Sequence, residues 1–311
     1  MARVVLLGTP QFAVPVLRAL VQHHQVVSVV TQPDRQAGRG RSHFALPAVK
    51  EAALALGLPV LQTVSLRRDA AALAALREAR ADLFVIAAFG QILRPEVLAI
   101  PPHGCIGVHA SLLPRLRGAA PVAAAILRGD EETGVSLMLT DVGMDTGPVI
   151  AQARLLIAPR DTTETLSEKL SHIGAELLIA TIPAWLAGGI GPVPQDDVLA
   201  SYAPQITKRD GAIAWSRSAE EIDRQVRAYT PWPGVFTTYH GRGLRIQRAV
   251  PLSTYPGGGV PGTVIDTAQG IGVMTGRGLL LLEALQLEGK RSLSGKDFAR
   301  GQRGFVGSIL G

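Results

Sequence analysis

The chain has 311 residues, of which 47% are hydrophobic and 5% aromatic, and its formal net charge at pH 7 is +6. That length predicts two domains, with cores built mainly from aliphatic side chains. The single cysteine excludes an internal disulfide, and the apolar runs are too short for a signal peptide or a membrane span, so we expect a cytoplasmic protein with no membrane partner.

Alternating strands and helices are predicted in the first half of the chain. Apolar runs predict strands over 3–7, 25–31, 82–89 and 104–108, and Ala- and Leu-rich patterns predict helices over 14–23, 47–56 and 69–80. Nearly continuous apolar strands separated by helices indicate a mostly parallel, doubly wound, Rossmann-like α/β domain. Ligands of such sheets bind beyond the carboxyl ends of the strands, which here are near Gly8, Phe89 and His109.

The composition changes after the first half. A Gly- and Pro-rich stretch over 187–194 lacks periodicity and is typical of a linker, and a helix capped by Ser218 follows it. Short strands separated by Gly and Pro, typical of a small OB-like β-barrel, are then predicted over 236–239, 244–249, 262–265, 272–275 and 279–285. We therefore expect a catalytic domain over 1–187, a linker over 188–206 and a carboxyl-terminal barrel over 207–311.

The positive charge is concentrated in that last third. Residues 201–311 contain 14 Lys and Arg against 8 Asp and Glu, whereas the first 200 residues balance at 17 and 17. Such an excess is typical of a domain that meets a polyanion, and it is equally compatible with a basic surface that is only solvated.

Two polar clusters contain the candidate catalytic groups. His109 stands at the end of a buried strand, where an imidazole can act as general acid or base or can be purely structural. Asp141 and Asp145 lie in a Gly-flanked turn, where an acid can orient the imidazole or cap its own backbone. Spacing alone leaves these alternatives open. His109 has no neighbouring ligands at workable spacing, so no metal is expected.

These clusters resemble the signature of the folate-dependent formyltransferases. The resemblance consists of His-x-Ser-Leu-Leu-Pro beginning at His109, followed 36 residues later by Asp145 within Asp-Val-Gly-Met-Asp-Thr-Gly. Further segments resemble the members that act on methionyl-tRNA, and the similarity extends from the first strand to about Val235. These segments are 8–13, 31–40, 115–121 and 231–234.

The resemblance implies formyl transfer from 10-formyltetrahydrofolate to the α-amine of methionine on initiator tRNA, for translation initiation. We expect the protein to be a monomer. It implies that His109 and Asp145 are the catalytic pair. The residues that it places at the folate are Ser111, Leu112, Leu113 and Pro114, together with Phe89, Gly90, Gln91, Ile92 and Leu93.

A segment rich in arginine is the implied tRNA contact of the first domain. Arg39 matches an arginine that reaches the acceptor arm of the tRNA, and Arg35 and Arg41 accompany it in a loop over 33–46. Cations among glycines suit phosphate groups. A solvated surface loop is the alternative interpretation.

Gly107 departs from the family pattern, in which an Asn two residues before the His donates a hydrogen bond to the developing oxyanion. Glycine has no side-chain donor, and the loss of one such donor typically costs about 10²–10³ in rate. An enzyme that uses backbone N–H groups or water, a substituted copy, and a weakly active tRNA-binding paralogue all stay open. A formyltransferase for another amine, such as a sugar nucleotide or glycinamide ribonucleotide, is a further alternative.

Overall fold

The computed structural model describes residues 1–37, 43–255 and 257–311. They divide into two compact units by their internal contacts. The first unit comprises Met1–Pro121, Glu132–Leu156 and Ser167–Ala203, and the second comprises Val122–Glu131, Ile157–Leu166 and Pro204–Gly311. Two short segments that interrupt the first unit along the chain therefore belong to the second unit.

The first unit is built on a seven-stranded sheet. Its strands, with two short additional pairs, are β1 (Arg3–Gly8), β2 (Gln25–Thr31), β3 (Arg35–Ala37), β4 (His43–Ala45), β5 (Val60–Gln62), β6 (Leu83–Ala87), β7 (Cys105–His109), β8 (Arg117–Gly118), β9 (Glu132–Leu139), β10 (Val149–Leu156) and β11 (Tyr202–Ala203). The order in the large sheet is β10-β9-β7-β6-β1-β2-β5. The five strands from β7 to β5 are parallel, while β9 and β10 are antiparallel to their neighbours.

The helices were only partly predictable. They are α1 (Ala13–His23), α2 (Ala48–Ala55), α3 (Ala70–Glu78), α4 (Pro95–Leu98), α5 (Pro121–Arg128), α6 (Thr163–Leu186), α7 (Ala219–Ala228) and α8 (Gly295–Gly301). The sequence pattern missed α6, because its apolar residues are spread around the helix and form no single stripe. No helix in the described part of the chain is long and apolar enough to span a membrane.

The parallel strands are buried on both faces, which explains their continuous apolar runs. Four consecutive residues of β1, Val4, Val5, Leu6 and Leu7, are completely buried. The predicted mostly parallel α/β fold is confirmed. One local expectation is wrong, since the segment over 33–46, predicted as a loop, contains the paired strands β3 and β4.

The second unit is a five-stranded antiparallel sheet, and the predicted small β domain is confirmed. Its strands are β12 (Val235–Tyr239), β13 (Arg242–Leu252), β14 (Val264–Thr267), β15 (Gly270–Met274) and β16 (Leu279–Leu287), in the order β12-β13-β16-β15-β14. Helix α7 packs against β13 and β16. Its amino terminus is a capping box in which Ser218 Oγ accepts from Glu221 N at 3.3 Å and Glu221 Oε2 accepts from Ser218 N at 2.8 Å.

Candidate active site

His109 is the last residue of β7, at the carboxyl edge of the parallel strands. Only 9% of its side chain is exposed. Its Nε2 lies 3.0 Å from the carbonyl oxygen of Leu116, and its Nδ1 lies 3.6 Å from Asp145 Oδ2. The ring therefore stands between two oxygen acceptors, and the contact to Leu116 is the shorter one. An imidazole that is fixed in this way is suited to hold and release a proton.

The two acids of the second cluster have different roles. Asp145 Oδ2 accepts a hydrogen bond from Gly118 N at 2.8 Å and faces His109. Asp141 Oδ1 instead accepts from Gly143 N at 3.0 Å and from the Thr146 hydroxyl at 2.9 Å. The alternatives that spacing left open are thus divided between the two residues, because Asp141 caps its own turn while Asp145 faces the imidazole.

Unusual backbone conformations occur around the histidine. Leu116 has φ +59° and Asp145 has φ +56°, and these residues provide the two oxygens that face His109. Positive φ is a real outlier for a bulky residue such as Leu. Residues held in such conformations cluster at functional sites, because the surrounding structure must impose them.

Gly107 lies two residues before His109 in β7, so a side chain at this position would project from the same face of the sheet. The backbone φ of Gly107 is not positive, so its conformation does not require glycine. A Cβ built on Gly107 would lie 3.1 Å from Met138 Cε and 3.1 Å from Thr140 Oγ1. That hydroxyl oxygen is buried and has no hydrogen-bond partner among the described residues. The position where the family has Asn is therefore bordered by an unused hydroxyl.

The segment from Ser111 to Pro114, expected at the folate, follows β7 and is fixed by hydrogen bonds. Ser111 Oγ donates to Arg115 O at 2.6 Å, and Leu113 N donates to Ser136 Oγ at 2.9 Å. The side chains of Ser111 and Leu113 are buried, while those of Leu112 and Pro114 are half-buried. Leu112 and Pro114 are thus the members of this segment with accessible side-chain surface.

The second segment expected at the folate, over 89–93, follows β6, which is the parallel neighbour of β7. Phe89 and Leu93 are buried in the hydrophobic core. The side chain of Gln91 is engaged with backbone, since its Oε1 accepts from Leu66 N at 2.9 Å and its Nε2 donates to Thr63 O at 3.2 Å. Gly90 and Ile92 are the exposed members of this segment.

Of the three arginines expected at tRNA, Arg35 is exposed in β3, while Arg39 and Arg41 lie outside the described residues. The preceding residue, Asp34, is tied into the first unit. Lys50 Nζ contacts Asp34 Oδ2 at 2.7 Å. Hydrogen bonds from Lys50 and from Gln62 lower the pKa of Asp34. Sequence reasoning missed this anchor, because its three members come from separate elements.

Sequence reasoning also missed two polar residues beside Asp145. Gln195 Nε2 donates to Asp145 O at 2.9 Å, and Gln195 Oε1 accepts from Arg117 Nε at 3.0 Å. Arg117 belongs to a segment that resembles the family, but Gln195 lies in the stretch predicted as a linker, where no local pattern marks it. The described residues contain no group of three or more His, Cys, Asp or Glu side chains placed to hold a metal ion.

Comparison with known proteins identifies the family. Residues 2–182 match the Formyl transferase family, and residues 205–303 match the Formyl transferase C-terminal domain. The chain belongs to the formyl transferase family. This formyl transferase is 49% identical over 311 residues to a methionyl-tRNA formyltransferase of Roseiflexus castenholzii, with 99% of both chains covered. It is 47% identical over 307 residues to that of Myxococcus xanthus, covering 98% of this chain and 97% of the relative.

Solved structures share the fold of this formyl transferase at lower sequence identity. An N-formyltransferase from Helicobacter canadensis, in complex with folinic acid and dTDP-3-aminofucose, has a TM-score of 0.67 at 18% identity and covers 94% of this chain and 100% of its own. HypX from Aquifex aeolicus, in complex with tetrahydrofolic acid, has a TM-score of 0.64 at 15% identity, covering 99% of this chain and 48% of that one. At these identities the likeness shows the fold alone.

Proposed function

We propose that this formyl transferase transfers the formyl group of 10-formyltetrahydrofolate to the α-amine of methionine esterified to initiator tRNA. The observation that carries the proposal is the placement of His109 between Leu116 O and Asp145 Oδ2 at the carboxyl edge of the sheet. Full-length relatives that are nearly half identical and are named methionyl-tRNA formyltransferase favour this acceptor over other amines.

The residues at this edge fit a folate donor. The segments over 88–93 and 110–116 follow the adjacent parallel strands β6 and β7, so they begin at the same edge of the sheet. Accessible surface on Gly90, Ile92, Leu112 and Pro114 would hold the donor. The donor, when bound, supplies the formyl carbon that the amine attacks and the folate nitrogen that departs.

The chain's own residues manage the proton and the charge. The amine loses a proton and the departing nitrogen gains one, so a single group that accepts and returns a proton balances the reaction. We assign that group to His109 and the exchange to its Nδ1, where the 3.6 Å contact to Asp145 is the looser of the two. Asp145 orients the ring and stabilises its protonated form. The protonated ring also stabilises negative charge on the formyl oxygen.

Charge supports the assignment of the carboxyl-terminal domain to tRNA. Residues 201–311 have six more basic than acidic side chains, and Arg242, Arg245 and Arg248 are all exposed on β13. Exposed arginines bind phosphate without reading sequence. Arg35, Arg39 and Arg41 are the proposed contacts of the first domain. The domain boundaries at 1–187, 188–206 and 207–311, the monomeric state and the cytoplasmic location stay predictions.

The test is a formylation assay with the full-length chain and 10-formyltetrahydrofolate. Methionine-charged initiator tRNA is compared with methionine-charged elongator tRNA, and an amino-sugar nucleotide and glycinamide ribonucleotide serve as alternative acceptors. We expect transfer to the initiator tRNA at the highest kcat/KM. A higher kcat/KM for either small amine would refute the acceptor, and absence of transfer to all of them would refute the activity.

A further inference from the structure

Arg117 is a buried cation that donates hydrogen bonds to side chains of the segment after α6, which ends at Leu186. Only 2% of its side chain is exposed, its Nε donates to Gln195 Oε1 at 3.0 Å, and its Nη2 donates to Asp197 Oδ1 at 2.8 Å. Burial acts to lower the pKa of Arg117, but hydrogen bonds to Asp197 and Tyr202 outweigh it and raise the pKa. A guanidinium is buried at high cost unless its donors are satisfied, and these hydrogen bonds offset that cost.

Gln195 connects that cation to the turn that holds Asp145. Its Nε2 donates to Asp145 O at 2.9 Å and to Gly147 O at 2.6 Å, while its Oε1 accepts from Arg117. Both the oxygen and the nitrogen of the carboxamide are therefore hydrogen-bonded, and the nitrogen bonds to the backbone on either side of Thr146. This backbone includes the positive φ of Asp145, a conformation that needs external support.

The same stretch also supports the second oxygen that faces His109. Leu116 N donates to Ser201 Oγ at 3.0 Å, and β8 pairs with β11. Gly118, whose N–H donates to Asp145 Oδ2, lies so close to β11 that a Cβ on it would be 2.7 Å from Ala203 O. Residues 195–203 are thus hydrogen-bonded to both segments that flank the imidazole.

We propose that Gln195, held by Arg117, is a positioning residue that fixes the carboxylate of Asp145 against His109. The proposal deepens the function proposed above and rests on it, because the placement of Asp145 affects the rate only if His109 carries the reaction. The segment over 195–203, which lies within the predicted linker, thereby helps to place a catalytic group.

The first experiment measures the kinetics of two variants of Gln195. Gln195→Leu removes all the hydrogen bonds of the carboxamide. Gln195→Glu has the same size and keeps an acceptor for Arg117 but loses the donor to Asp145 O and Gly147 O. Gln225→Leu is the matched control. Gln225 Nε2 also bridges two carbonyls, Asp210 O at 2.7 Å and Ala212 O at 3.0 Å, but in the second unit. We expect both Gln195 variants to lower kcat by roughly 10- to 100-fold, because small misplacements of catalytic groups have large effects.

In both Gln195 variants, the KM for charged tRNA and the Kd for folinic acid should change less than threefold. The kcat of the control variant, Gln225→Leu, should stay near that of the wild type.

A double-mutant cycle separates positioning from general stability. If Gln195 acts through Asp145, Gln195→Glu adds less than a threefold loss in an Asp145→Asn background, measured as the single-turnover rate. The ¹⁵N resonances of the His109 ring should shift in Gln195→Glu and stay unchanged in Gln225→Leu. An equal loss in both backgrounds, or a wild-type kcat in Gln195→Glu, overturns the positioning role. A wild-type rate in Asp145→Asn overturns the catalytic assignment itself, which distinguishes the two failures.

Discussion

At the scale of single residues, the imidazole of His109 faces oxygens of two residues that have unfavourable backbone conformations. Leu116 and Asp145 both have positive φ, and non-glycine residues in such conformations cost on the order of 1–3 kcal/mol each. The hydrogen bonds of Gly118 and Gln195 to Asp145 offset part of that cost. Hydrogen bonds within the chain therefore orient the oxygens that face His109, as the proposed mechanism requires.

The first prediction concerns the proposed catalytic pair. His109→Ala and Asp145→Ala should each lower the single-turnover rate of formyl transfer by about 10²–10⁴, the range typical of a general acid or base. Folinic acid binding, measured by calorimetry, should stay close to the wild type, because the proposed folate surface lies on Leu112, Pro114 and the segment over 90–92. A wild-type rate in either variant contradicts the mechanism.

The second prediction concerns the missing Asn. Gly107 lies in a strand and has no positive φ, and the atoms nearest to its new Cβ would be Met138 Cε and Thr140 Oγ1, both at 3.1 Å, so Gly107→Asn requires these side chains to shift slightly. If the donor limits catalysis, this variant should raise the rate by roughly 10²–10³. Folate affinity should change little, because the effect belongs to the transition state.

Thr140→Val is the companion variant, because the buried hydroxyl of Thr140 is unpartnered and borders the missing side chain. If that hydroxyl already serves as the donor, Thr140→Val should lower the wild-type rate about tenfold or more, and Gly107→Asn should then gain little. An unchanged rate in Gly107→Asn together with an unchanged rate in Thr140→Val would show that neither side chain supplies the donor.

At the scale of elements, α7 illustrates how far local sequence determines structure. Its N-cap Ser218 and the Glu221 three residues later form a reciprocal pair of hydrogen bonds, as the sequence pattern predicts. Hydrogen bonds to the Glu221 carboxylate from the backbone N–H of Ser218 and from its hydroxyl lower the pKa of Glu221 below its ordinary 4.5. A carboxylate whose pKa is lower in the folded state stabilises the fold above its unfolded-state pKa, and this contribution is lost as the pH falls through the folded-state value.

The third prediction follows from that cap. Ser218→Ala should lower the free energy of unfolding at pH 7 by about 1 kcal/mol, the typical worth of an N-cap. Part of this difference from the wild type should disappear as the pH falls below 4.5, because the hydrogen bond from the Ser218 hydroxyl to the Glu221 carboxylate weakens when the carboxylate is protonated. Urea denaturation at several pH values measures both effects. The exposed Ser216 provides the control, since Ser216→Ala should change the stability little; an equal loss there would refute the cap as the cause.

At the scale of the whole molecule, the uneven charge distribution leads to a prediction about tRNA binding. The fourth prediction is that the affinity for charged tRNA falls steeply with salt, because each phosphate contact releases a counterion. Arg245→Gln should weaken binding at low salt and reduce the slope of log K against log salt by about one. Arg18→Gln, which removes an exposed arginine from the charge-balanced part of the chain, should leave the slope unchanged. Equal slopes in both variants would exclude Arg245 from the tRNA surface.

Substitution is a cleaner test than removal of residues 207–311, because the second unit also includes the segments over 122–131 and 157–166. Arg224 Nε donates to Leu127 O at 3.2 Å, and Thr163 Oγ1 donates to Ala228 O at 2.6 Å. Truncation would leave the segments over 122–131 and 157–166 without these partners. Any loss of tRNA binding would then report on unfolding as well as on lost contacts.

The sequence by itself determined the features that depend on near neighbours. Apolar runs located the central strands, Ser218 located a helix start, and His109 was placed at a strand end because the strand before it is continuous. The charge asymmetry is likewise a property of composition. Periodicity, capping and charge are set by residues within a few positions of each other, so they are visible without a structure.

Spacing left open which acid faces His109, although the resemblance implied Asp145, and only the tertiary structure shows the contact itself and what the apparent linker does. Asp141 and Asp145 stand in one turn, and no local pattern distinguishes the acid that caps its own backbone from the one that faces the ring. Gln195 meets Asp145 across 50 residues of sequence and Arg117 across 78. Such contacts are fixed by the path of the whole chain, because it is the packing of the sheet and its connections that brings distant backbone within hydrogen-bond distance.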